Sequence, residues 1–286
     1  MGAVIELKNV TYKYPLTDTP SIRNFNLTVE KGSFWGVIGP NGSGKTTLCA
    51  IMRGFAPSFF KGELEGEVLV EGKRIEEYAE GEISLRVGYV FQNPFNQISG
   101  VKDTVFEEVA YGLENFGVEP EEIEERVVRA MKMTDIEHLA TKKPFELSGG
   151  QQQRMALASC LVLEPDILII DEPTSQLDPE GTESVFKIIE QLKKEKRTVV
   201  LVEHKIDLIA EYADHIVVMK DGTAIRSGTK QEILSDISLE AEGIQLPQYA
   251  LLGNELIKRG MKLDYIPITE QQAIEVIGKA IKGGNC

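Results

Sequence analysis

Apolar and polar residues alternate over residues 4–10. Ile5 and Leu7 share one face and Glu6 and Lys8 the other, the period of two expected of a half-buried strand. Residues 25–29 repeat the alternation, and the two runs predict antiparallel strands connected around residues 15–20. Residues 33–38 are read as a buried strand that feeds a helix over 45–53. Short strands are predicted at 66–70 and 88–91. Gln92-Asn93-Pro94 ends the second, because the residue before a proline is pushed out of helical geometry.

From 102 to 140 the texture turns helical. Val105, Val109 and Leu113 recur at helical spacing, and Val127, Val128 and Met131 follow an acidic stretch at 119–125. That stretch reads as a solvated helix start with Pro120 in the favoured first turn. A further helix is predicted over 148–163, so residues 93–165 form a helical insert within an α/β domain. Strands at 166–171, 198–202 and 216–219 then alternate with helices at 179–194 and 205–212. A last strand runs to Gly228 after a turn at Asp221-Gly222. Such alternation predicts a mostly parallel sheet covered on both faces. Residues 236–286 form a C-terminal extension too apolar to be disordered, with Ile244, Leu246, Leu252, Ile257 and Ile274 among its residues.

Composition narrows the function classes. The formal net charge is −14, which disfavours a general nucleic-acid binder with its basic face. No apolar run approaches the length that spans a bilayer. The first residues enter a strand pattern directly, so no signal peptide is expected. Glu6 stands where a myristoylation site would carry Ser or Thr. Cys49, Cys160 and Cys286 are spaced like neither a disulfide framework nor a metal cluster. The first two lie in apolar helical patterns and are expected to be buried free thiols of a cytosolic chain.

The chemistry concentrates where the strand at 33–38 meets its helix. Gly39-Pro40-Asn41-Gly42-Ser43-Gly44-Lys45-Thr46 fits G-x-x-x-x-G-K-[ST], the phosphate-binding P-loop. Fixed backbone N–H groups of Gly39, Asn41, Gly42, Ser43, Gly44, Lys45, Thr46 and Thr47 suit a triphosphate because they need no counter-charge. Glycine allows the close approach. Lys45 is expected on the β- and γ-phosphates and the Thr46 hydroxyl on Mg²⁺, with ATP as the nucleotide. A ligand-free turn is a poor account of an eight-position pattern in this context. Residues 167–172, ILIIDE, are a buried strand ending in two carboxylates. Asp171 suits the Mg²⁺ shell, and Glu172 is the candidate base that polarises water toward the γ-phosphate. Tyr14 either packs on its strand, as Tyr12 does, or stacks on the adenine ring.

Leu147-Ser148-Gly149-Gly150-Gln151 resembles the signature motif of the ATP-binding cassette family. Gln92 is similar to that family's Q-loop glutamine, Ser175-Gln176-Leu177-Asp178 to its D-loop, and His204 to its H-loop histidine. The resemblance covers residues 3 to about 235. It implies a P-loop NTPase core with an antiparallel β subdomain, the helical insert at about 93–165, and the extension from 236 as a possible dimerisation segment. It also implies two cassettes packed head to tail. Ser148, Gly149, Gly150 and Gln151 of one would complete the ATP site at the P-loop of the other. His204 would orient the γ-phosphate and water, Gln92 would sense Mg²⁺ or water, and Asp178 would communicate across the dimer. Residues 89–97 and 104–112 resemble the ATPases of energy-coupling factor importers, which take up vitamins or transition metals. Phe95 departs from that pattern, where an acidic residue is expected.

The resemblance implies a homodimer, or a heterodimer with a second cassette ATPase. It also implies a transmembrane coupling subunit, a solute-binding membrane subunit, and a peripheral place on the cytoplasmic face of the cell membrane. The competing class is a non-transport cassette ATPase of repair, translation or cluster assembly. The interval between P-loop and signature lacks the sustained heptads of a repair-type coiled coil. A single cassette is unlike the translation members, and cluster assembly is not excluded by composition.

Overall fold

The five residues of β3 (Phe34–Ile38) are all buried, and the rest of the chain is layered around them. The structure is a computed structural model that describes residues 2–79, 81–175 and 177–282. Gln176 of the candidate D-loop, Cys286, and residues 283–285 of the extension lie outside the described residues.

β1 (Ala3–Lys13) and β2 (Ile22–Glu30) pair antiparallel, with Ile5 opposite Val29 and Leu7 opposite Leu27, as the alternation predicts. β3 leads through the glycine-rich loop into α1 (Lys45–Arg53). Gly54 ends that helix in the left-handed region at φ 80°. The short α2 (Phe55–Ser58) follows, then β4 (Glu63–Val70) and β5 (Lys73–Arg74). These complete a four-stranded antiparallel sheet in the order β2-β1-β4-β5. α3 (Glu82–Arg86) then hands the chain to β6 (Val87–Val90).

The helical region is three helices. α4 (Val105–Asn115) starts at a Thr104–Glu107 capping box, and α5 (Pro120–Met133) starts with Pro120 in its first turn. α6 (Gly149–Leu161) starts at a Ser148–Gln151 capping box. The chain continues through β7 (Ile167–Asp171), α7 (Pro179–Lys194), β8 (Thr198–Val202), α8 (Ile206–Tyr212), β9 (His215–Lys220) and β10 (Thr223–Thr229). α9 (Lys230–Leu234), α10 (Gln248–Lys258) and α11 (Glu270–Lys282) close it.

The second sheet runs β10-β9-β3-β8-β7-β6, parallel except for the antiparallel β9–β10 edge. All its strands except the edge strand β10 bury both faces. Val37, Ile169, Val200 and Val202 point into a core shared with α1 and the antiparallel sheet. Ile38, Ile170, Val199 and Leu201 point into a second core under α7 and α8. That two-sided burial is why these strands read as continuous apolar runs. α4, α5 and α6 enclose a third core around Val109, Leu113, Met131 and Met155. Leu239, Ile244, Leu246, Ala250 and Ile268 of the extension belong to the second core, so the extension is packed against the sheet layer. Among the described residues no helix is long and apolar enough to cross a membrane.

Candidate functional site

β3, β7 and β8 run parallel, with Val202 paired to both Val37 and Asp171. The loops leaving their carboxyl ends therefore begin at one edge of the sheet, where open parallel sheets bind ligands. The P-loop, the Asp171-Glu172 pair and the Glu203-His204 pair all lie there, although they are far apart in sequence.

The P-loop backbone needs its glycines. Gly39 has φ 155°, and a Cβ there would sit 2.2 Å from the Met219 carbonyl oxygen. Gly44 has φ 101°, and its Cβ would sit 2.8 Å from the Ser21 carbonyl oxygen. Lys45 is buried, and its Nζ donates to the carbonyls of Gly39 (3.0 Å) and Pro40 (3.1 Å). Burial lowers the ammonium pKa, while the Glu172 and Asp171 carboxylates oppose that shift. A groove of about 380 Å³ runs along the loop, with Thr19, Ser21, Gly42, Lys45, Thr46 and Asp221 in its walls. Tyr14 is half-buried, edge-on to Tyr12 at 4.9 Å between ring centroids, with its hydroxyl 3.2 Å from Thr47 Oγ1. Strand packing of Tyr14 is thus present. Adenine stacking would use the same ring.

The two carboxylates after β7 diverge. Asp171 is 1% exposed, and Tyr89 donates its hydroxyl to Oδ2 at 3.0 Å. Burial raises the Asp171 pKa, and the Thr46 and Tyr89 hydroxyls pull it back. Its Oδ1 is buried with no hydrogen-bond partner of good geometry. An orphaned carboxylate oxygen beside a threonine hydroxyl is a hard-oxygen donor set suited to Mg²⁺. Among the described residues no group of three or more His, Cys, Asp or Glu gathers as a metal cage. That fits an ion that uses one or two carboxylates and takes its other ligands from phosphate and water.

Glu172 holds the left-handed region at φ 46°, and its N–H donates to the Val202 carbonyl at 2.9 Å. The turn sends its side chain between two others. Gln92 Nε2 donates to Oε2 at 2.6 Å, and His204 Nε2 lies 2.9 Å from Oε1. The structure therefore brings Gln92, Glu172 and His204 into one contact set, with Gln92 hydrogen-bonded to Glu172.

Ser148, Gly149, Gly150 and Gln151 form the first turn of α6. Ser148 Oγ accepts from Gln151 N–H, and Gln151 Oε1 accepts from Ser148 N–H. Asp178 caps α7 by accepting from Gly181 N–H at 2.8 Å. Both turns border one cavity of about 390 Å³ that shares no lining residue with the P-loop groove. A chain therefore presents two separate phosphate-suited surfaces, one at the P-loop and one at the α6 N-terminus.

Three residues of the site escaped the sequence. Tyr89 is hidden in an apolar strand, and its contact with Asp171 depends on β6 pairing with β7. Glu203 and Thr174 are both buried and bonded to each other, the Thr174 hydroxyl donating to Glu203 Oε2 at 2.9 Å. An acid closing the apolar run of β8, next to His204, was the available signal. The extension also reaches this edge. Gly243, Ile244 and Gln245 border the cavity beside Pro40, Asn41 and His204.

The sequence matches the family described as ABC transporter over residues 22–175. A putative ABC transporter ATP-binding protein of Pyrococcus abyssi is 43% identical over 98% of this chain and 99% of its own length. The energy-coupling factor transporter ATP-binding protein EcfA of Methanocaldococcus jannaschii is 37% identical over 93% of this chain and 92% of its own. Among solved structures, cbiO1 from Clostridium perfringens, described as part of the ABC transporter complex cbiONQ, superposes with a TM-score of 0.72. It is 32% identical, and the match covers 85% of this chain and 94% of cbiO1. With that breadth of similarity, and with the P-loop, Asp171-Glu172 and the signature turn in place, the chain belongs to the ABC transporter family as an ATP-hydrolysing cassette.

Proposed function

We propose that this cassette is the ATP-hydrolysing subunit of an energy-coupling factor type importer, driving uptake of a vitamin or a transition metal ion through separate membrane subunits. The observation that carries the reading is near full-length similarity to a protein named EcfA, together with the fold of cbiO1. An exposed aromatic pair suits a membrane partner. Phe59 is 73% and Phe60 39% exposed, with their rings edge to face at 5.2 Å between centroids. Phe59 packs on Phe55, and Phe55 stacks on Phe91, the residue before Gln92. A load on that pair reaches the glutamine that holds Glu172.

In this reading ATP lies along the P-loop. Lys45 leaves the loop carbonyls for the β- and γ-phosphates, and the backbone N–H groups of Gly39 and of residues 41–47 take the remaining oxygens. Asp171 and Thr46 would hold Mg²⁺, and Gln92, bonded to Glu172, would sense it. The ion supplies positive charge against the phosphates. Glu172 removes a proton from water as its oxygen bonds to the γ-phosphorus and the bond to the β-phosphate oxygen breaks, leaving ADP and phosphate. His204 holds Glu172 and orients the γ-phosphate, and Tyr14 stacks on the adenine.

Ser148 and the N–H groups of Gly149 and Gly150, with Gln151, come from a second cassette and close over the γ-phosphate. Asp178 lies beside them. The separation of the two surfaces within one chain supports a composite site. Hydrolysis then removes the link between cassettes, an identical or a distinct second ATPase, at the cytoplasmic face of the membrane.

The test is recovery of the tagged protein from detergent-solubilised native membranes, followed by mass spectrometry. Co-recovery of a small-solute-binding membrane protein and a transmembrane coupling subunit is expected. Recovery of soluble assembly or nucleic-acid factors alone would refute the importer reading and leave the ATPase intact.

A further inference from the structure

Glu203 ends the apolar run of β8 and is 4% exposed. A carboxylate so buried persists only when its lone pairs are satisfied. Its Oε1 accepts from the backbone N–H groups of His204 (3.0 Å) and Lys205 (3.2 Å). Its Oε2 accepts from the Thr174 hydroxyl at 2.9 Å, and Thr174 is itself 2% exposed. Thr174 stands two residues after Glu172, in a turn where Ser175 N–H donates to the Glu172 carbonyl at 3.3 Å. His204 Nε2 lies 2.9 Å from Glu172 Oε1.

These contacts close a ring. Glu172 touches His204, the His204 backbone is held by Glu203, Glu203 is held by Thr174, and Thr174 belongs to the turn that carries Glu172. We infer that Glu203 is a positioning residue for hydrolysis, one buried carboxylate that locks the His204 turn to the Glu172 turn. The inference rests on the reading of Glu172 and His204 as the hydrolytic pair. A cap of the His204 turn alone would need one oxygen. The second oxygen is committed to the neighbouring loop, and all three bonds are to a carboxylate in a water-poor place. Glu203 touches no P-loop residue through a hydrogen bond, so its effect should fall on turnover and not on ATP affinity.

The test compares steady-state ATP hydrolysis by full-length His204→Ala, Glu203→Ala, Glu203→Gln, Thr174→Val and the double variant Glu203→Ala/His204→Ala. Glu203→Ala should lower kcat about tenfold with KM for ATP within about twofold, the size expected for loss of a charge-assisted contact that orients a catalytic group. Glu203→Gln should recover most of kcat, because its carbonyl can take both N–H groups while its amide donates to Thr174 Oγ1. Thr174→Val keeps the capped turn and should cost about threefold in kcat by freeing only one contact. The double variant should be no slower than His204→Ala, since the two act as a unit.

Unchanged kcat in Glu203→Ala or in Thr174→Val, losses that multiply in the double variant, or a KM that rises in step with the kcat loss would each overturn the inference. If His204→Ala itself hydrolyses normally, the hydrolytic pair is wrong and the positioning role falls with it. A slow His204→Ala beside a normal Glu203→Ala removes the positioning role alone.

Discussion

Replacing Glu172 with glutamine separates chemistry from structure at this site. The amide has the size of the carboxylate, and its carbonyl oxygen can accept from Gln92 Nε2, now 2.6 Å from Oε2. Its NH₂ then faces His204 Nε2, 2.9 Å from Oε1, and a neutral imidazole can accept that proton. The backbone, held at φ 46° by the bond from Glu172 N–H to the Val202 carbonyl, is untouched. Stability should therefore change by less than about 1 kcal/mol, because two hydrogen bonds become neutral while a buried charge is removed. What is lost is the group that takes the proton from water. General-base catalysis contributes roughly 10²–10⁴ in rate, about 3–5 kcal/mol of barrier. The assay is single-turnover phosphate release, beside ATP titration by calorimetry and urea unfolding. Hydrolysis should fall at least about 100-fold, with ATP affinity within about twofold. Release at the wild-type rate would show that Glu172 is not the base. A slow variant that also loses ATP affinity or several kcal/mol of stability would show that the residue is structural.

Lys45→Ala should weaken ATP binding itself, by at least about tenfold, since the buried ammonium is the cation of the P-loop; unchanged affinity by calorimetry would contradict the P-loop assignment. Burial raises the Cys49 thiol pKa well above its ordinary value and Cys160 to about 12, so each carries less thiolate at pH 8 than a free cysteine. In a Cys286→Ser background neither should react with a thiol reagent until the protein is unfolded, and rapid native labelling would contradict their burial. For Cys160 the same shift contributes stability that is intact below pH 9 and lost as pH rises through about 12. The extension leaves Leu252 47% and Ile274 70% exposed while Ile244 and Leu246 are buried. Leu252→Asp with Ile274→Asp should loosen a nucleotide-free dimer without unfolding, read as a lower mass by light scattering. Removing residues 236–286 should instead cost about 2–5 kcal/mol or more by stripping Ile244, Leu246 and Ala250 from the core.

The parallel sheet was legible because its strands are buried on both faces, so β7 and β8 read as unbroken apolar runs. β1 and β2 announced themselves by alternation, and α5 by Pro120 ahead of an acidic first turn. α2, α3 and β5 were not legible. Each is two to five residues long, too short for a period to register, and each is set by its neighbours. In the site, Lys45, Asp171, Glu172 and His204 could be picked out by motif. Their contacts could not, since Gln92 meets Glu172 only after β6 and β7 pair. Glu203 was passed over for a related reason. Its partners are two backbone N–H groups and a threonine on another loop, and nothing in the local pattern encodes them.

The claim on which the account turns is that ATP is held between the P-loop of one cassette and the signature turn of another. Sedimentation velocity of the Glu172→Gln cassette, together with any second cassette that co-purifies, tests it most directly, with Leu252→Asp and Ile274→Asp added so that the extension does not hold the cassettes together without nucleotide. With Mg²⁺ and ATP the species should shift to a dimer, with ADP it should return to monomer, and adding Ser148→Arg should abolish the shift while leaving ATP binding to the P-loop intact. A mass that ignores ATP, or a dimer that forms equally well with Ser148→Arg, would contradict the composite site.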